Sequence, residues 1–294
     1  MKSQSSSKGQ SKQPSCRALT PEQTVRAIFR KLSRSWGPQH WWPAETPLEV
    51  IVGAILTQNT SWTNVERALT NLRSAGSLSV GGIRKLPIDE LEQLVRPSGY
   101  FRQKAQRLKD FVQFLDASYS GSLELMFADP APQLREALLA QKGIGPETAD
   151  SILLYAGHQP TFVVDAYTRR ILERHGAIGI KAKYGEIRTL VEQALQKHQP
   201  PATAALDPRR PLAHPPSAMS TQSKPALAQR YNEMHGLFVQ LGKHYCVKRN
   251  PKCGVCPLGS MLDGPLPPES KPRTRQKATG DRRQASGKPA KSRL

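Results

Sequence analysis

Apolar side chains recur at helical spacing in one segment of this chain after another, and the pattern predicts an all-α fold. Val25, Ile28, Phe29 and Leu32 share one face of a helix that opens at Pro21, with Thr20 as its cap. Pro47–Leu56 is apolar nearly all round and reads as a buried helix. Trp62–Leu72 follows, capped by Thr60 or Ser61. Short helices are expected at Gly82–Leu86 and Ile88–Leu91, then a longer one from Gly99 to Leu115. Leu134, Leu138 and Leu139 mark the first helix of a pair whose second carries Ala149, Ile152, Leu153 and Ala156. Pro160–Val164 is a short extended apolar run that leads into a helix at Ala166. Helices continue through Tyr184–Leu195. A last stripe from Ala226 carries Tyr231, Met234, Leu237, Phe238 and Leu241.

The join of the pair carries the chemistry. Between the two runs stands Lys142-Gly143-Ile144-Gly145-Pro146, where glycines permit a tight turn and proline suits a first helical turn. The amides of Gly143, Gly145 and the next helix start would point outward at the positive end of a helix dipole, a seat for one phosphate. An ordinary helical hairpin with a glycine cap has the same composition. Some twenty residues on, Val163-Val164 delivers Asp165 to the start of Ala166-Tyr167-Thr168-Arg169-Arg170-Ile171. Asp165 there is either a helix cap or a carboxylate held for use.

Three polar stretches interrupt the pattern. Residues 1–20 are Ser- and Lys-rich without periodicity and read as a disordered basic arm. Residues 199–225 are Pro-rich and read as a flexible insert. Residues 263–294 form a second basic tail. A net charge of +20 over 294 residues implies a polyanionic partner. The apolar runs are too short for a bilayer, and the start lacks the apolar segment of a secretory signal. Four cysteines, three of them clustered, suggest a reducing compartment, so an intracellular, cytoplasmic or nucleoid protein is expected, working as a monomer.

Taken together, Gly143-Ile144-Gly145-x-x-Thr148-Ala149-Asp150-x-Ile152-Leu153 and Val163-Val164-Asp165-Ala166-Tyr167-Thr168-Arg169-Arg170-Ile171 resemble the helix-hairpin-helix DNA glycosylases of the endonuclease III type. The resemblance spans roughly residues 21–262. It implies a two-lobed helical fold with a DNA cleft: residues 44–165 form one lobe, and residues 21–43 with 166–262 form the other. It implies double-stranded damaged DNA as partner, with Asp165 as the catalytic carboxylate. The string Ile55-Leu56-Thr57-Gln58-Asn59-Thr60-Ser61-Trp62 matches the segment whose glutamine enters the duplex, so Gln58 would fill the space of an extruded base. Lys104, in Gly99-Tyr100-Phe101-x-x-Lys104-Ala105, matches a DNA-facing helix start. Lys142, Gly143, Ile144, Gly145 and Thr148 fall in the phosphate-binding hairpin.

Bifunctional relatives carry a nucleophilic lysine four residues after the first hairpin glycine. Glu147 stands there in this chain, and a carboxylate cannot form an imine. A monofunctional glycosylase using water is therefore expected. Thr57-Gln58-Asn59-Thr60-Ser61-Trp62, the Trp41-Trp42-Pro43 loop and the absent lysine together resemble the 3-methyladenine branch of the superfamily, which implies alkylated purines such as 3-methyladenine as substrates. Their positive charge would also ease departure and favour stacking on electron-rich rings. Trp41, Trp42, Trp62 and Tyr100 are the candidate base pocket. The alternatives are a bifunctional glycosylase with abasic-site lyase activity on oxidised pyrimidines and a DNA-binding protein without catalysis. Cys246, Cys253 and Cys256 reproduce three positions of the family's iron–sulfur loop (246–262), but Leu262 stands where the fourth cysteine belongs. A [4Fe–4S] cluster needs four thiolates as a rule, so no cofactor is expected, a cluster with an incomplete ligand set being the alternative. Zinc held with His244 is a poorer fit.

Overall fold

The protein is described by a computed structural model covering residues 19–196, 211 and 214–262. Residues 1–18, 197–210, 212–213 and 263–294, which include most of the arm, about half of the insert and the whole tail, lie outside the described residues. Within them the fold is all-helical.

Helix α1 (Pro21–Trp36) begins as its sequence requires: Thr20 Oγ1 accepts from Gln23 N, and the Gln23 side chain accepts from Thr20 N. The apolar helix α2 (Pro47–Leu56) buries nine of its ten residues. After it come α3 (Trp62–Ser74), α4 (Val80–Lys85), α5 (Ile88–Val95) and the long α6 (Phe101–Tyr119). The hairpin follows α7 (Leu123–Ala128) and consists of α8 (Ala131–Leu139) and α9 (Pro146–Ser151). Helix α9 runs directly into a π-helical turn, Ile152–Ala156. Helices α10 (Ala166–Arg174), α11 (Tyr184–Leu195), α12 (Ala218–Thr221) and α13 (Ala226–His244) complete the chain.

Helices α2 to α9 pack among themselves, and α1 packs with α11 and α13, while α10 lies along α13. The π turn touches α2, α9 and α13, so it sits at the seam. The buried side chains of both groups form one continuous core.

One expectation fails here. Residues 214–225, read as part of a flexible insert, are folded. Ser217 caps α12, Met219 is buried, and Met219 N donates to Ala44 O at 3.0 Å. Ser217 Oγ accepts from Ala44 N and donates to Trp42 O. Prolines disfavour helix interiors, but they leave a capped four-residue turn free to clasp a neighbouring loop.

Candidate active site

The extended run before Asp165 is anchored on three sides. Thr161, Phe162, Val163 and Val164 are all buried. Phe162 N donates to Glu192 Oε1 at 2.9 Å, and Val164 N to the Tyr184 hydroxyl at 3.3 Å. That hydroxyl donates to Asp150 Oδ2 at 2.7 Å, while Arg135 Nε donates to Asp150 Oδ1 at 2.6 Å. Asp150 is fully buried, and the ion pair ties α8, α9 and α11 to the segment that ends at Asp165. A buried carboxylate is tolerated only with such partners.

Asp165 is the N-cap of α10: Oδ1 accepts from Thr168 N at 2.7 Å. Its side chain keeps 12% of its surface, and Oδ2 faces His235 Nε2 at 3.6 Å. Burial pushes this carboxyl upward, but the charge and hydrogen-bonding capacity of His235 and the Thr168 amide outweigh it. The net shift is below the usual carboxylate range. Asp165 is therefore both the cap and a held anion.

The other candidates sort into those the structure gathers and those it does not. Gln58 Nε2 donates to Gly143 O and to Thr148 Oγ1, both at 3.0 Å, so the expected wedge residue lies on the hairpin. Arg107 of α6 donates to Gln58 Oε1. Gly143 adopts φ +84°, and its missing Cβ is what lets the Arg107 side chain pass. Ile144 is buried as the hairpin's inner anchor, whereas Lys142 and Gly145 are exposed. Glu147, at the lysine position, is exposed to solvent. The surrounding protein and the charge of Asp165 push its carboxyl up to about 7, against the pull of His235.

Trp41, Trp42 and Trp62 meet, with ring centroids 5.4 Å (Trp41–Trp42), 5.0 Å (Trp42–Trp62) and 6.5 Å (Trp41–Trp62) apart. They form an aromatic wall in which Trp41 and Trp42 are buried and Trp62 is half-buried, and Trp42 contacts Tyr155 at 5.1 Å. Tyr100 does not join them. It is 68% exposed, with φ +46°, at the start of α6, and that turn directs it to the surface. Lys104, expected to face DNA, is instead inside the protein. Its Nζ donates to Leu56 O at 2.8 Å and Ser98 O at 2.6 Å, and burial with nearby Arg107 lowers it to about 8. It shares the inner face of α6 with Ala105, Leu108 and Leu115, so it serves as a buried clamp on two carbonyls.

Four residues around the site were not singled out by the sequence. His235 sits inside the apolar stripe of α13, where a histidine among leucines was the available signal. Lys243 Nζ lies 5.6 Å from the Trp41 ring centroid, and His214 packs on the same ring at 5.3 Å. Glu66 accepts from Trp62 Nε1 at 2.8 Å.

At the cysteine loop the donor set does not fit a four-thiolate cluster. Cys246, Cys253 and Cys256 line a cavity of about 230 Å³ whose wall at the fourth position is the side chain of Leu262. Cys246 Sγ already accepts from Arg174 Nη1 at 3.2 Å. Burial raises the Cys253 and Cys256 thiols, the latter to about 11. His244, on the exposed end of α13, is not among the cavity's lining residues. Among the described residues no group of three or more His, Cys, Asp or Glu side chains is arranged to hold a metal ion.

With this geometry in place, the comparisons with known proteins decide the family. The model of the HhH-GPD superfamily base excision DNA repair protein matches residues 52–197. A Methanocaldococcus jannaschii protein named "Putative DNA repair glycosylase MJ1434" is 40% identical over 80% of this chain and 93% of its own length. The chain belongs to the HhH-GPD superfamily. It is a DNA glycosylase of that base excision repair group. Among solved structures, an H. pylori 3-methyladenine DNA glycosylase bound to 1,N6-ethenoadenine aligns at 31% identity. Its TM-score is 0.59, covering 76% of this chain and 98% of that one. A trapped endonuclease III–DNA covalent intermediate aligns with TM-score 0.63 at 19% identity over 83% and 96%, a likeness of fold. Among the described residues no helix is long and apolar enough to cross a membrane.

Proposed function

We propose that this glycosylase is monofunctional, hydrolysing the N-glycosidic bond of alkylated purines such as 3-methyladenine in double-stranded DNA. It would work as a monomer, within the cell, without a metal or cluster. The observation that carries the reading is the pairing of Asp165 with Glu147: an anion stands at the cap, and a carboxyl stands where a nucleophilic amine would be needed. The target nucleotide must leave the stack to react. Gln58, held between hairpin and Arg107, is the side chain placed to occupy the gap, and the Gly143–Gly145 turn with Lys142 and Thr148 is the phosphate seat. The extruded base stacks on the wall of Trp41, Trp42 and Trp62. A cationic alkylpurine gains most from electron-rich rings. As the bond breaks, the sugar becomes cationic, and the Asp165 carboxylate stabilises it and orients water for attack. The relative that acts on 3-methyladenine, at 31% identity, supports the same substrate class.

A second reading has one observation in its favour. Lys243 lies against the Trp41 ring, and burial lowers its ammonium below the usual lysine value against the pull of Glu66 and Asp165. An amine of that kind is a candidate nucleophile for a bifunctional enzyme. Borohydride reduction on duplexes bearing 3-methyladenine, oxidised pyrimidines or an abasic site separates the two. The expected result is base release from methylated DNA with no trapped adduct. A covalent adduct that disappears in Lys243→Ala would replace the monofunctional reading with the second.

A further inference from the structure

The cap explains one oxygen of Asp165; the other faces a buried chain of polar groups. His235 is 4% exposed, and no hydrogen-bond partner meets its Nε2, which points at Asp165 Oδ2 from 3.6 Å. Its Nδ1 shares a short hydrogen bond with the Tyr155 hydroxyl. Tyr155 is buried in the π turn, and π turns shift one side chain out of helical register into a neighbouring site. Gly236, next to His235, has no Cβ to hold off Gln39 and Trp41, so the aromatic loop closes over this chain. The Trp41 ring is 6.3 Å from the imidazole, and the Phe162 ring meets it edge-on at 6.2 Å.

We propose that His235, oriented by Tyr155, is a positioning residue for Asp165, presenting Nε2–H to Oδ2 so that the carboxylate stays ionised and turned toward the sugar. The inference rests on Asp165 being the reacting carboxylate. An ionised carboxylate only accepts, so Nε2 must carry the proton. Tyr155, whose burial and nearby Asp165 charge keep it a neutral phenol, then donates to Nδ1. When the imidazole gains a second proton, Nδ1–H donates to the phenol oxygen instead, so the chain remains satisfied in both states. The separation of 3.6 Å exceeds a hydrogen bond, and catalytic contacts of this kind commonly tighten when substrate binds. The titratable groups around this chain are Asp165 and Tyr167 on α10, Glu147 on α9, Tyr155 in the π turn, Tyr184 on α11 and Lys243 on α13. Any pH response must be read with these in place.

The test is the pH profile of single-turnover base release for the parent, His235→Phe, His235→Gln and Tyr155→Phe, beside a carbon-13 NMR titration of the Asp165 carboxyl. In His235→Phe the acidic limb is expected to move up by at least one pH unit, with DNA affinity within twofold of the parent. Tyr155→Phe moves the limb the same way by less, and His235→Gln, which keeps an N–H donor, recovers part of it. A limb that stays put in both His235→Phe and Tyr155→Phe, or a loss equal at every pH, overturns the inference. Should His235→Phe fail to fold, an unmoved limb in both Tyr155→Phe and His235→Gln overturns it equally. If the parent releases no base from methylated DNA, the substrate reading fails on its own. The NMR titration then decides this one, since an Asp165 midpoint unchanged in the variants excludes positioning by His235.

Discussion

Replacing Asp165 by Asn separates the two jobs that the carboxylate holds. As a cap, Asn serves about as well as Asp, because its side-chain oxygen accepts from the Thr168 amide in the same geometry. The melting temperature is therefore expected to stay within about 2 °C of the parent, since a few tenths of a kcal/mol moves a domain of this size by only about a degree. As a charge, Asn is no replacement. A unit negative charge about 4 Å from a sugar carrying nearly a full positive charge, at an effective dielectric near 20, is worth about 4 kcal/mol. In the ground state the positive charge of the alkylpurine sits on the base rather than on the sugar, so most of that difference falls on the barrier, about a thousandfold in rate. Binding to a duplex with a non-cleavable abasic analogue should hold or rise slightly, because a negative charge has left the DNA face. Single-turnover release from methylated DNA beside a melting curve and a binding isotherm makes the comparison. Release within about tenfold of the parent, with folding and binding intact, would falsify the role assigned to Asp165.

Three further outcomes follow from other contacts. Gly143→Ala places a methyl group 2.2 Å from Arg107 Nε at φ +84°, so Arg107 must move and release Gln58; the cost is about 1–3 kcal/mol in chemical denaturation, with weaker DNA binding. Lys104→Met leaves Leu56 O and Ser98 O without their shared donor, and a loss of about 2–5 kcal/mol is expected, measured by urea unfolding at pH 7. Glu147, raised to about 7, is neutral below that pH and anionic above it, so DNA affinity should fall by about two- to tenfold between pH 6 and 8; Glu147→Gln should flatten that step in a fluorescence-anisotropy titration at fixed salt.

Much of this architecture is written in local pattern. The Thr20 cap, the stripe of α1, the apolar α2 and the glycine-proline turn of the hairpin each follow from spacing and turn chemistry, and all appear where the residues predict them. Asp165 is legible for the same reason, since an acid that ends an apolar run and begins an amphipathic helix has few places to go. Lys104 is misread because the cationic first turn of α6 draws the eye, while its spacing to Ala105, Leu108 and Leu115 puts it on the buried face. Tyr100 is lost to a left-handed turn that no periodicity announces. The partners of the site are harder. His235, Lys243 and His214 lie 70, 78 and 49 residues from Asp165, and only the packing of α13 and of the 214–225 clasp brings them to it.

The clasp also changes what the pocket is. Trp41 and Trp42 belong to a loop between α1 and α2, and a loop holds an aromatic wall in place only when its backbone groups are satisfied. Here the last part of the Pro-rich stretch satisfies them, through Met219 N to Ala44 O and Ser217 Oγ between Ala44 N and Trp42 O. The same segment lays His214 against Trp41 at 5.3 Å, and burial with nearby Lys243 keeps that imidazole below its ordinary titration range. Trp41 is thus packed against both a histidine carried by the clasp and a histidine carried by the core. Cutting the clasp with Ser217→Ala should loosen the wall and leave the Asp165 cap untouched, since Thr168 supplies that cap alone. The variant should lose discrimination between cationic and neutral purines while its acidic limb stays in place. A shifted limb with discrimination intact would mean that the wall and the carboxylate are one mechanical unit, contrary to the separate anchoring of Asp165 through Glu192, Tyr184 and Asp150.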